Sequence, residues 1–271
     1  MSRGISTRTA VVGGALVLLL ALACASSQSR TPIRDSATAP SGDQGMRPTQ
    51  TGGLPGGNQE DDRPGVAVWP FANGGSFGSD PWDYASLEVG LQQMLITELS
   101  QNSELRLVER GRIKEIIEEL ELGQTGYVAP ETTAQVGQVV GAKYMVVGGF
   151  VDANGTLRLD ARVDNVETSE ILTETAVKVE GDRENLLDMV VDLSVKVVES
   201  VDLPPLPGRV VEERKSIELS AETARTYFLA LRRDDAGDLD EARQLYRRVV
   251  SEAPQYSPAR MRLEQLGGDG P

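Results

Sequence analysis

The chain has 271 residues, of which 41 are acidic, 27 basic and none histidine, for a formal net charge of −14 and an isoelectric point near 4.6. That balance excludes the basic footprint of a nucleic-acid binder. Without histidine the usual general base, the His-dependent nucleophilic triads and the commonest metal ligand are missing. With only 4% aromatic residues there is also little material for stacking platforms, so neither enzymatic activity nor a cofactor or metal is expected.

The first predicted element is an export signal over residues 1–23. Arg3 and Arg8 form a positive n-region, Val11 to Leu22 an apolar h-region, and the small residues Ala21 and Ala23 flank the cleavage point. The run is shorter than the ~20 apolar residues a spanning helix needs. It ends on Cys24, the single cysteine of the chain, which rules out an intrachain disulfide. "LALAC" resembles the lipobox of bacterial lipoproteins, with Ala21 standing where a larger aliphatic residue is usual. The resemblance implies that Cys24 is lipidated and becomes the mature N-terminus, attaching the protein to a membrane. Ala25 stands where an aspartate would signal inner-membrane retention, which implies the periplasmic face of the outer membrane. Residues 24–65 then form the lipidated cysteine and a tether rich in Ser, Thr, Gly, Pro and Gln, with too little apolar surface to offset ordering entropy. As a flexible coil of about 40 residues it spans roughly 35 Å.

A domain is predicted over residues 66–201. "VAVWPF" opens it as a buried strand, and Leu87, Leu91, Leu95 and Leu99 follow at helical spacing. "LRLVER" is a second strand leading into "GRIKEIIEELEL", a helix with Ile113, Ile116, Ile117 and Leu120 on one face. A short helix is expected over Thr132 to Val140, and "AKYMVVGGFV" as a buried strand. In "TLRLDARVDNV" apolar Leu157, Leu159, Ala161 and Val163 alternate with Arg158, Asp160, Arg162 and Asp164, a strand with one dry and one wet face. Asn154-Gly155 before it is a hairpin turn. "EILTETAVKVEG" is one further strand, and Arg183 to Val201 a closing helix with Leu186, Val190, Leu193 and Val197 inward. Alternating helices and strands followed by consecutive strands place the chain in the α/β class, with a mixed sheet of α+β type covered by helices.

This order of elements carries a resemblance. "VAVWPF", "LITELSQNSELRLVERGRIKEIIEELELGQTG", "VGQVVGAKYMVVGGFV" and "RVDNVETSEIL" resemble the CsgG family of curli production assembly and transport lipoproteins, and are similar in plan to FlgO-like lipoproteins and the amino-terminal domain of TolB. The curli exporter inserts membrane-spanning hairpins between its core strands, each strand needing about 9–11 residues. Here Asp152-Ala153-Asn154-Gly155 and Gly181-Asp182 leave no room for either insertion.

Residues 202–219 contain "DLPPLPG" and are predicted to be a proline-rich linker to a small all-α hairpin over residues 220–267. There Leu229, Ala230, Gly237, Ala242, Tyr246 and Pro254 match the tetratricopeptide pattern and are the candidate protein-binding residues. Small Ala230 and Ala242 let two antiparallel helices approach, Tyr246 fills the gap and Gly237 permits the turn. Arg233 sits where an aromatic residue is usual. A trailing helix is expected over Ser257 to Leu266. One repeat cannot bury its own face, so it must dock on the preceding domain, a partner or another copy.

Other chemistry is weak. "NGGSFGSD" lacks the Gly-Lys-Ser/Thr ending of a phosphate loop, and "DANG" begins like a calcium loop without its later acidic positions. Asp160 and Asp164 lie two residues from arginines and are expected to form exposed ion pairs, not paired catalytic carboxylates. Glu115, Glu118, Glu119 and Glu121 are the solvated side of their helix. The expected function is therefore an outer-membrane-anchored, periplasmic interaction factor for curli or another surface appendage. The alternatives are an activator of peptidoglycan synthesis, with the plan of penicillin-binding-protein activators, and, in another class, an oligomeric secretion channel. The partners implied are the membrane, through the lipid, and envelope proteins, with a homo-oligomer compatible and no nucleic acid.

Overall fold

The computed structural model describes residues 61–78, 83–120, 129–171 and 175–267. The signal, Cys24 and the tether lie outside the described residues. "VAVWPF" begins with strand β1 (Gly65–Val68), buried along its whole length. Successive side chains of β1 point to opposite faces of the sheet, and both faces are covered: Val66 and Val68 enter one apolar cluster, Ala67 and Trp69 the other. This is why the run is continuously apolar and not alternating.

The described strands form one seven-stranded mixed sheet, with the order β3-β1-β4-β5-β6 and with β2 paired to β4 and β7 to β5. β2 is Ala72–Asn73, β3 Arg106–Leu107, β4 Tyr144–Ala153, β5 Thr156–Asn165, β6 Glu170–Ile171 and β7 Val177–Asp182. β1 runs parallel to both β3 and β4, as helical crossovers require. β4 and β5 pair antiparallel over their full lengths, from Tyr144 opposite Asn165 to Ala153 opposite Thr156. Their connection is Asn154-Gly155, with φ of 53° and 93°. Two consecutive positive φ values are what a type I′ two-residue hairpin turn demands, and Asn and Gly reach them at least cost.

Helices α1 (Tyr84–Leu99) and α4 (Leu186–Ser200) cover one face, and α2 (Arg110–Glu119) and α3 (Pro130–Val140) the other. Leu87, Leu91, Leu95 and Leu99 of α1 and Leu186, Val190, Leu193 and Val197 of α4 meet Leu157, Leu159, Ala161 and Val163 in the larger cluster. The smaller cluster joins Ile113, Ile116 and Ile117 to Val136, Met145 and Val147. Among the described residues no helix is long and apolar enough to cross a membrane. The fold class is thus a mixed sheet packed with helices and followed by a helical region.

The local differences have physical causes. The second strand shrinks to two paired residues, because only Arg106 and Leu107 lie beside β1. The single strand expected for "EILTETAVKVEG" is two. Between β6 and β7 the Thr175 hydroxyl accepts from Val163 N at 3.0 Å and donates to Val163 O at 3.3 Å, taking the backbone groups that a continuous ladder would use. Asp164 is buried where an exposed ion pair was expected: it takes the Arg162 guanidinium and the Thr133 hydroxyl. Arg158 and Asp160 do form an exposed pair, at 2.7 Å. In "NGGSFGSD" the Asn73 side chain accepts from Gly75 N and Ser76 N, a local turn in which Gly75 takes φ 100°. Within residues 202–219 the chain makes helix α5, Gly208–Lys215.

Candidate functional site

The residues singled out in the C-terminal region fall on α6 (Ala221–Asp235), α7 (Leu239–Glu252) and the turn after α7; α8 (Ser257–Gln265) follows. Ser220 starts α6 by accepting from Thr223 N at 3.1 Å, an N-cap. Gly237, at φ 80°, turns the chain into α7. Ala230 and Ala242 are fully buried, as is Tyr246, and its hydroxyl donates to Asp234 Oδ2 at 3.1 Å. Leu229 is half-buried and Pro254 exposed. Of the three ways such a hairpin can bury its face, the structure shows the first: α6 docks on the sheet domain.

The seam is a notch flanked by charge. Phe228 of α6 lies against Gly90 of α1, where any side-chain atom would enter its ring. Arg110, the first residue of α2, grips Asp235 through both guanidinium ends, one of them at 2.8 Å. Lys114 donates to the Asp235 carbonyl at 2.8 Å, a cation at the C-terminus of α6 where the helix dipole favours it. Glu184 accepts from Ala221 N at 3.2 Å, so a carboxylate of the sheet domain serves the opposite end of α6. Arg232 pairs with Asp83, and Arg214 of α5 forms a two-point pair with Glu98 of α1, 2.8 and 2.7 Å long.

Inside the helical region Tyr227, Tyr246 and Tyr256 pack together. Tyr227 meets Tyr256 edge-on with centroids 5.2 Å apart, and Tyr246 at 6.1 Å. Burial pushes all three phenols well above the ordinary tyrosine range, with neighbouring Tyr227 adding to the effect on Tyr246 and Tyr256. Burial also opposes the Asp234 carboxylate, but the Arg262 guanidinium more than offsets it and holds the pKa below the usual value. Raised phenol pKa values mean stabilisation that is complete below the unfolded tyrosine value of about 10 and is lost as pH climbs past it. Above about pH 10 the helical region is expected to melt with simultaneous ionisation of these three tyrosines. A pH titration comparing tyrosinate absorbance with far-ultraviolet circular dichroism checks this; ionisation of all six tyrosines of the chain before the loss of helix would contradict the packing.

Between α1, the start of α2, α6 and α8 lies a cleft of about 550 Å³. Its floor is Ile96, Leu231 and Tyr227, and Met261 stands at its rim, 56% exposed. Neither this cleft nor the docking residues were legible in the sequence. The one signal was Gly90, an isolated glycine inside an apolar helical pattern, which generally has a packing reason. Among the described residues no group of three or more metal-ligating side chains converges. Cys24 lies outside them.

Residues 61–155 match the family model of the curli production assembly/transport component CsgG, a stretch that runs from the residues before β1 to the β4–β5 turn. It does not reach the C-terminal helices. No curated protein sequence matches the chain significantly. Among solved structures, the LpoB C-terminal domain from Salmonella enterica is similar at 18% identity, over 44% of this chain and 83% of that one, with a TM-score of 0.35. TolB from Acinetobacter baumannii is 15% identical over 52% of this chain and 29% of its own, TM-score 0.35. The lipoprotein GNA1162 from Neisseria meningitidis is 15% identical over 51% and 97%, also with a TM-score of 0.35.

Proposed function

We propose that this protein is an assembly factor of the bacterial envelope, held by a lipid on Cys24 at the periplasmic face of the outer membrane, which acts through protein contacts and forms no pore of its own. The observation that carries the reading is the β4–β5 connection. It lies in the stretch that matches the curli transport family, and it is a two-residue turn with every flanking residue paired. An exporter built on this core needs two further spanning strands at such a connection, each about 9–11 residues long. The second position is closed in the same way, because β7 leads directly into the 3-10 turn Arg183–Asn185 and then α4. The sheet alternates toward a helix-covered core, and where β5 and β7 extend beyond the helices of the second face they carry Arg158, Asp160, Lys178 and Glu180 in cross-strand register. A lipid-facing band cannot be built from that pattern.

The test is one preparation read in two ways. Full-length protein purified from membranes should carry labelled palmitate that the Cys24→Ser variant lacks. Reconstituted in planar bilayers, it should give no stable large channels. Reproducible openings would reinstate the secretion-channel reading, and equal labelling of Cys24→Ser would remove the anchor.

A further inference from the structure

We propose that the cleft between the sheet domain and the helical region receives an extended, basic segment of a partner protein. The proposal rests on the reading of this chain as a protein-binding factor and names the chemistry of what is bound. Its first support is continuity with the seam. Along one side of α1, Gly90 is sealed by Phe228, whereas Gln93, Ile96 and Thr97, farther along the same helix, and Ser100 just past its end line open space. The buried interface between α1 and α6 therefore runs on into a groove, whose volume of about 550 Å³ falls within the roughly 300–1,000 Å³ common for ligand clefts.

The second support is the sign of the unpaired charge. Both cations in the cleft are committed: Arg110 to Asp235 and to Gln93 Oε1, at 3.2 Å for the latter, and Arg262 to Asp234 at 2.5 and 2.8 Å. Their charges are quenched within the wall. The charge left unpaired is negative. Glu109 is exposed and has no ion pair among the described residues. Gln101 donates to the Thr97 carbonyl at 3.1 Å, leaving its Oε1 without a partner among the described residues. A groove whose two cations are paired and whose one carboxylate without an ion pair among the described residues is Glu109, in a chain of net charge −14, disfavours phosphates and carboxylates and suits lysine or arginine. The apolar floor of Ile96 and Leu231 and the exposed Met261 at the rim accept the aliphatic stems of such residues. The groove on the wet sheet face, lined by Arg158, Asp160, Arg162 and Lys178, offers no such bias, because its arginines pair with neighbouring aspartates.

The experiment pans a random decapeptide phage library on the full-length chain, on Ser100→Trp, which fills the groove from the exposed position that caps α1, and on Glu109→Arg. Matching melting curves establish that the variants are folded. Enriched clones should contain more lysine and arginine than the input. They should be lost on Ser100→Trp and weakened up to about fivefold on Glu109→Arg, the scale of one partly exposed charge contact. No enrichment, enrichment of acidic or uncharged clones, or equal retention on both variants would overturn the proposal. So would self-association that disappears in Ser100→Trp, since the occupant would then be a second copy. Failure here leaves the palmitate and conductance results untouched, so the two readings fall separately.

Discussion

Replacing Arg214 with alanine should destabilise the protein by about 3–5 kcal/mol, the cost of leaving a buried charge without its partner. Glu98 and Arg214 are 2% and 10% exposed, and the guanidinium meets the carboxylate through two parallel bonds. Arg214 also lies 5.9 Å from the Tyr256 ring, so one side chain ties α5 to α1 and to the tyrosine cluster. The loss is not a measure of what the pair contributes. Desolvation of both ions offsets most of their attraction, and well-packed apolar replacements for both are often neutral or better. The double variant Glu98→Leu/Arg214→Met should therefore recover most of the stability that either single change loses. Urea unfolding of the four proteins forms the cycle. Additive losses would mean that the two groups do not act as a pair.

Gly90→Ala should cost about 1–3 kcal/mol by overpacking, even though alanine is the better helix former by about 1 kcal/mol. A Cβ at Gly90 would overlap the Phe228 ring, and that ring is itself 1% exposed, with no free side to move toward. The strain falls on the seam, so hydrogen exchange should accelerate in α6 to α8 before it does in the sheet. Gly111→Ala in α2 is the control: nothing lies within 4 Å of a Cβ there, so only a propensity gain remains, at most about 0.5–1 kcal/mol because the site is in the first turn. Two Gly→Ala changes in two helices thus have opposite expected signs. If both stabilise, α6 is not seated on α1 as described.

These two substitutions mark where local sequence stops being informative. The element pattern was legible because it is local: the leucines of α1, the isoleucines of α2 and the alternation of β5 each state a period, and the period selects helix or strand. Asn154-Gly155 announced its hairpin for the same reason. Strand lengths were less legible. β3 is short because of what lies beside it, and the run after Asn165 breaks because the Thr175 side chain occupies backbone groups of Val163, a contact 12 residues away in sequence.

By itself the sequence determined the class of the sheet domain, the faces its elements bury, the close helix–helix approach at Ala230 and Ala242, and the absence of histidine chemistry. Only the tertiary structure decided where the helical hairpin docks and that the docking leaves a cleft. The residues responsible, Gly90 with Phe228, Arg110 with Asp235 and Glu98 with Arg214, are separated by more than a hundred positions. Each is unremarkable in its own segment: a glycine in a helix, an arginine at a helix start, a glutamate among leucines. Periodicity reports which face of an element leaves water, but not which other face it meets. That choice depends on shape and charge across the whole fold, and no window of the chain contains both halves of it.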